Sequence, residues 1–277
     1  NYTIPQVPKP VSSSSQSLNS EAPKKLWSIF LLKCGLLLPA LDLDQLTVSF
    51  NVAVNHGKLA PNVIDPILGF CLAVASHLTL ERSLWEGRKW NDAALSTLRR
   101  EENTPSLQYF HRRILQIEYV HMVGYLEKGW EILSLAISKA EYLQMHTMHG
   151  GCLAVDKKSL EQVRVIWQSL WMKKLSLALQ LGIVNQYLDV FHFSPMPMQS
   201  QMQETMEIYG GRQSFVASSF FIASATLLKN TDDLISVENN LRVTRMECPI
   251  KWFSTLDLRP FQDLNESLSS WNNCLPN

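Results

Sequence analysis

The stretch from Thr104 to Gly182 constrains the fold most, because its apolar residues recur at three- and four-residue steps through three successive runs. Leu107, Phe110, Ile114, Leu115, Ile117 and Val120 make one apolar helix face. After Gly124, a second comprises Trp130, Ile132, Leu133, Leu135, Ala136, Ala140 and Leu143, and the third is Val163, Trp167, Leu170, Trp171, Leu175 and Ala178. Thr104 before Pro105 predicts a helix start, since a hydroxyl caps free N–H groups and proline's fixed φ suits the first turn. Ser159 and Gln162 have capping-box spacing, and Gly182 is a suitable left-handed terminator. Arg164, Gln168 and Lys173 fall mostly away from the third stripe.

The same period extends along the chain. It predicts helices at about 24–38, 42–56, 62–79, 82–101, 105–124, 127–145 and 158–181, with Asp42 or Asp44 near the start of the second and Gly57 at its end. Further helices are expected near 212–229, 231–246 and 261–274, after a long loop over Tyr187 to Gln203. No pair of alternating strands is legible, so the expected architecture is all-α, a bundle of consecutive antiparallel helices with no sheet. Residues 1–22 carry Pro5, Pro8, Pro10 and the serine run Ser12 to Ser15; too little apolar surface is available there to offset ordering entropy, which predicts a flexible leader. Residues 23–277 are then one helical domain, since 277 residues at 46% hydrophobic suffice for a sizeable core. Leu26 to Leu38, behind Lys24 and Lys25, is apolar but too short to span a bilayer and reads as a buried first helix.

Three blocks in order resemble the middle homology region of the fungal zinc-cluster transcription factors. An alanine-containing helix runs to Leu143, Met145 and His146 where the family has Leu-Gly-Leu-His; Arg164, Ile166, Trp167 and Trp171 lie in a helix ending Leu181-Gly182; and Leu264, Asn265, Glu266, Leu268, Trp271, Leu275 and Pro276 match a downstream helix. The family's Trp-Trp pair is Ile166 and Trp167 here, its Asp-Arg is Lys173 and Lys174, and its Gly-Arg-Pro turn is Gly182, Ile183, Val184. An interhelix ion pair of the family is therefore expected to be missing. The resemblance implies the regulatory domain of a nuclear RNA polymerase II transcription factor, responsive to a small-molecule effector, associating as homodimers and with transcription machinery or co-regulators. DNA would be reached only through an N-terminal finger absent from this chain. That finger would hold the family's zinc, which needs six closely spaced cysteines; Cys34, Cys71, Cys152, Cys248 and Cys274 are scattered, so no cofactor is expected here. The chain then reads as a piece of a longer protein or as a relative without the finger.

Composition limits other functions. Lysine plus arginine and aspartate plus glutamate number 25 each, and the basic clusters are short, which argues against a phosphate-binding surface within this chain. Neither a nucleophile elbow nor a phosphate loop occurs, and no enzymatic activity or membrane partner is expected. His146, His149 and Cys152 have metal-like spacing but supply only three local ligands, short of a structural zinc. Asp232, Asp233 and Glu238 invite comparison with the aspartate-rich helix of all-α terpene synthases. However, Asp232 and Asp233 are better explained as helix caps, and Asn91, Asp92 and Ser96 miss the second motif's spacing by one position. His77, His121 and His192 are isolated among apolar residues and read as core or boundary histidines.

Trp130, Met145, His146, Trp167 and Trp171 are the candidate effector site, entered where the His146 to Cys152 loop leaves the bundle. The alternative is that these rings only pack the core, as large aromatic side chains ordinarily do. A helical interaction scaffold that binds neither effector nor DNA fits the same residues.

Overall fold

The computed structural model describes residues 21–34, 38, 40–59, 63–79, 84–98, 106–183, 219, 221–227, 229–231, 233–234 and 259–273. All regular structure among them is helical: α1 Glu21–Lys33, α2 Leu43–Asn55, α3 Pro66–His77, α4 Leu84–Leu98, α5 Leu107–Val123, α6 Leu126–Tyr142, α7 Lys157–Leu181 and α8 Arg259–Asn273, with a 3-10 turn at Gly151–Leu153. The protein is all-α. The Tyr187 to Gln203 loop, most of the leader and most of the 231–246 helix lie outside the described residues. Helical residues 229–231 run through position 230, where the sequence placed a break, and α1 begins at Glu21, inside the expected leader.

Side-chain caps set the helix starts. Asp42 accepts from the Gln45 amide at 2.9 Å, and Asp65, ahead of Pro66, accepts from the Ile67 amide at 2.8 Å. Ser106, not Thr104, caps α5 by accepting from the Tyr109 amide at 3.3 Å. The capping box of α7 likewise starts earlier than expected. Asp156 accepts from the Ser159 amide at 2.7 Å while Ser159 Oγ accepts from the Asp156 amide at 2.9 Å, so Ser159 is the reciprocal partner and not the cap. A carboxylate at that position also meets the positive end of a 25-residue helix, and its pKa is held low mainly by the bonds from Ser159.

The centre of the bundle is α3, in which every residue from Pro66 to Ser76 is buried. A helix apolar on all sides needs neighbours on all sides, and α3 packs most extensively on α4, then on α5 and α1. Gly69 permits the close α3–α4 approach: a Cβ there would stand 2.9 Å from Ala94 Cβ and 3.3 Å from the Trp90 carbonyl oxygen. At the α1 end, Trp27 stacks on Phe50 of α2 with centroids 4.7 Å apart. At the other end of the chain, Trp271 Nε1 of α8 donates to the Ala223 carbonyl at 2.7 Å and Ser267 Oγ donates to Asn230 Oδ1 at 2.8 Å, while Phe221 joins the main core.

The α5–α6–α7 unit has a direction that side-chain contacts fix. Gly129, in the first turn of α6, faces Val120 near the end of α5 and Leu177 near the end of α7, whereas Gly150 beyond the other end of α6 lies against Leu160 and Val163 at the start of α7. Hence α6 is antiparallel to both, and α5 and α7 run parallel. Two cross-links agree with that register: His121 Nε2 meets Gln180 Oε1 at 3.0 Å, and Lys173 pairs with Glu118. An interhelix ion pair is present here, from Lys173 of α7 to Glu118 of α5, 55 residues away in sequence.

Candidate functional site

The segment between α6 and α7 is a tightly built corner, unlike the loose helix end that its glycines suggest. The α6 helix stops at Tyr142; Gln144 takes φ 57° and Gly150 and Gly151 take 68° and 65°. A Cβ on Gly151 would overlap the Leu143 carbonyl oxygen, and one on Gly150 would lie 2.8 Å from both Ala154 Cβ and Leu160 Cδ1. Only glycine satisfies both the left-handed backbone and that approach. Amide bonds from Met145 to the Ala140 carbonyl at 3.0 Å and from Thr147 to the Gln144 carbonyl at 3.1 Å tie the corner to the end of α6. Arg164 Nη2 donates to the Met148 carbonyl at 3.3 Å and ties it to α7.

This corner delivers His146 to the face of Trp167, with ring centroids 5.6 Å apart and planes at 45°. Met145 is buried beside them, and Trp167 and Trp171 are 1% and 5% exposed. His146 is half-buried, and its Nδ1 is enclosed with no hydrogen-bond partner among the described residues. Trp130 is separated from the group. It is half-buried one turn into α6, next to Gly129 and therefore at the α7 C-terminal end, about 18 Å along the helix from Tyr142, where α6 ends, at 1.5 Å per residue. The structure therefore brings His146 and Trp167 together, with Met145 buried in the same core and Trp171 one turn further along α7, and leaves Trp130 at the opposite end of the same interface.

The buried polar residues of the same helix, α7, were missed from sequence. Glu161 and Gln168 are buried, against the expectation that Gln168 faces away from the packed stripe. Arg164 Nη1 stands 3.4 Å from Glu161 Oε2, and Gln168 Oε1 is enclosed without a hydrogen-bond partner among the described residues. Glu161, Arg164 and Gln168 recur at three- and four-residue steps, so a polar stripe was present to be read.

Elsewhere the electrostatics are those of burial. Burial pushes the Cys34 thiol up to about 12, with Glu118 adding and Lys173 opposing, and it also raises Cys71. Burial lowers His111 to about 4 against a weaker pull from Asp42, and it lowers His77, whose ring meets Tyr119 edge-on at 5.4 Å. His121 makes one of the two α5–α7 cross-links, and His192 lies outside the described residues. His149 and Cys152 are exposed, and among the described residues no group of three or more His, Cys, Asp or Glu side chains could hold a metal ion. Asp233 is itself helical, while Asp232 and Glu238 lie outside the described residues. No helix among the described residues is long and apolar enough to cross a membrane. No family model, curated protein or solved structure matches the chain.

Proposed function

We propose that this chain is an effector-responsive regulatory domain of the kind found in fungal zinc-cluster transcription factors, acting in RNA polymerase II transcription in the nucleus. The observation that carries the reading is the α5–α6–α7 unit. Two of the three blocks that carry the resemblance fall on α6 and α7, which pack together, and His146, just beyond the end of α6, meets Trp167 of the tryptophan-bearing helix. Such a unit regulates by population shift: an effector seated at the corner beside Trp167 favours one packing of α6 against α7, by as much as its affinities for the two packings differ. The zinc finger and the DNA contact belong to sequence outside this chain, and co-regulators of the transcription machinery are its protein partners.

A scaffold without an effector is the second reading, favoured by the near-complete burial of Trp167 and Trp171. Fusing the chain to an unrelated DNA-binding module upstream of a reporter gene tests the proposal. Transcription should change several-fold relative to the module alone and should respond to growth medium. A fusion whose output equals that of the module in every medium refutes it.

A further inference from the structure

Lys139 of α6 and Arg113 of α5 both lie over the ring of Tyr109, with Nζ 3.9 Å and Cζ 5.1 Å from its centroid. The two positive charges are therefore at most about 9 Å apart, close enough to repel in the reduced dielectric of a protein surface. Neither is a loose surface side chain, since Arg113 is 8% exposed and Lys139 is half-buried. The ring attracts each cation through its electron-rich face but carries no net charge, so it cancels neither. Arg113 Nη1 also donates to Gln116 Oε1 at 2.8 Å, again a neutral acceptor. Carboxylates on these helices are engaged elsewhere or face away: Glu118 holds Lys173, Glu131 holds Lys128 and Glu161 holds Arg164. Glu127 stands in the first turn of α6, and Glu141, two residues beyond Lys139, lies on another side of that helix. Lys139 makes no hydrogen bond or ion pair with any described residue and meets only the ring. Tyr109 itself is in the first turn of α5, whose positive end adds to the same field.

We propose that Lys139, Arg113 and the Tyr109 hydroxyl bind one oxyanion, a carboxylate or phosphate group of a small molecule. An ammonium and a guanidinium are donors with no acceptor, and the phenol hydroxyl on the same ring can donate as well. Donors gathered without an acceptor are complemented by a ligand group made of acceptors alone. A negative charge beside the two cations replaces their mutual repulsion with charge-assisted hydrogen bonds. The cluster is compact and addresses a single anionic group, not a charged polymer, in keeping with the short basic runs of the chain. It lies between α5 and α6, whereas the Trp167 corner lies between α6 and α7, and the inference is independent of the regulatory reading.

Isothermal titration calorimetry on the whole chain tests it, with inorganic phosphate and sodium succinate as probes and ionic strength held constant with sodium chloride. Saturable one-site binding is expected, with a dissociation constant on the order of 1 mM, and the tighter probe tells a phosphate ligand from a carboxylate one. Lys139→Gln keeps a long polar side chain and removes the charge; it should weaken binding about tenfold, the loss of one charge-assisted hydrogen bond. Tyr109→Phe keeps the ring beneath both cations and removes only the hydroxyl, for a loss of about threefold. Lys128→Gln, at an exposed lysine near the other end of α6, should bind as the parent does. Circular dichroism establishes that each variant is folded. Absence of saturable binding of either anion by the parent up to about 50 mM overturns the site. So does a Lys139→Gln variant that binds as the parent does, or a Lys128→Gln variant weakened as much as Lys139→Gln. Unchanged binding by Tyr109→Phe overturns the part given to the hydroxyl.

Discussion

Replacing Trp167 by alanine separates a packed ring from one that merely lines an opening. The side chain is 1% exposed and lies in the main core between α6 and α7, with His146 on one face. Removing about 200 Å² of ring surface at roughly 25 cal/mol per Å² forfeits close to 5 kcal/mol, and partial collapse of the void returns some of it. The expected loss is therefore about 3–5 kcal/mol. Domains of this size are stable by about 5–15 kcal/mol, so the variant should remain folded but melt roughly 10 °C lower. Trp130→Ala is the internal reference: its ring is half-buried, and its removal should cost about 1–2 kcal/mol. Urea unfolding followed by far-ultraviolet circular dichroism measures both. If Trp167→Ala costs no more than Trp130→Ala, Trp167 does not hold α6 to α7 and the packing described for this corner is wrong.

Gly151→Ala should destabilise by at least about 2 kcal/mol, since it combines a left-handed backbone with overlap on the Leu143 carbonyl, whereas Gly57→Ala, with open space around it, should cost only about 1 kcal/mol; thermal melts compare them. Lys173→Met leaves Glu118 partly buried without its partner and should cost about 1–3 kcal/mol, much of it recovered in the Glu118→Gln, Lys173→Met double variant. In denaturant titrations across pH, His111 should make stability fall as pH drops from about 6.5 to about 4. Its depressed folded pKa lets the unfolded chain bind the proton first, so the contribution is fully present above pH 6.5, amounts to at most about 3 kcal/mol, and is absent from His111→Gln.

Helix positions were legible because their signals are local. Asp42, Gly124 and Gly182 act where a single residue's chemistry puts them, whereas α3 starts at Pro66 behind the cap Asp65 and not near 62, and the caps of α5 and α7 fall on Ser106 and Asp156. What stayed hidden depends on what surrounds a helix. An apolar stripe implies one buried face, but the middle of α7 is buried from Val165 to Trp171 without interruption, so Gln168 was assigned to the wrong environment. The Glu118–Lys173 pair joins residues 55 apart and exists because α5 and α7 run parallel, which no window of sequence reveals. The candidate site was half legible. His146 and Trp167 do lie against each other, whereas Trp130 was joined to them because it shares their interface, and the length of α6 carries it away.

An effector-dependent shift in melting temperature tests the central claim most directly. The native chain should gain stability with at least one fraction of a small-molecule metabolite extract, by about 2.7 kcal/mol when ligand stands at a hundred times its dissociation constant. His146→Ala should fold and melt near the parent, because its imidazole is only half-buried, and on the proposed reading it should lose that gain. If no fraction shifts the native chain, or if His146→Ala responds as fully as the parent, the corner at Trp167 is not an effector site.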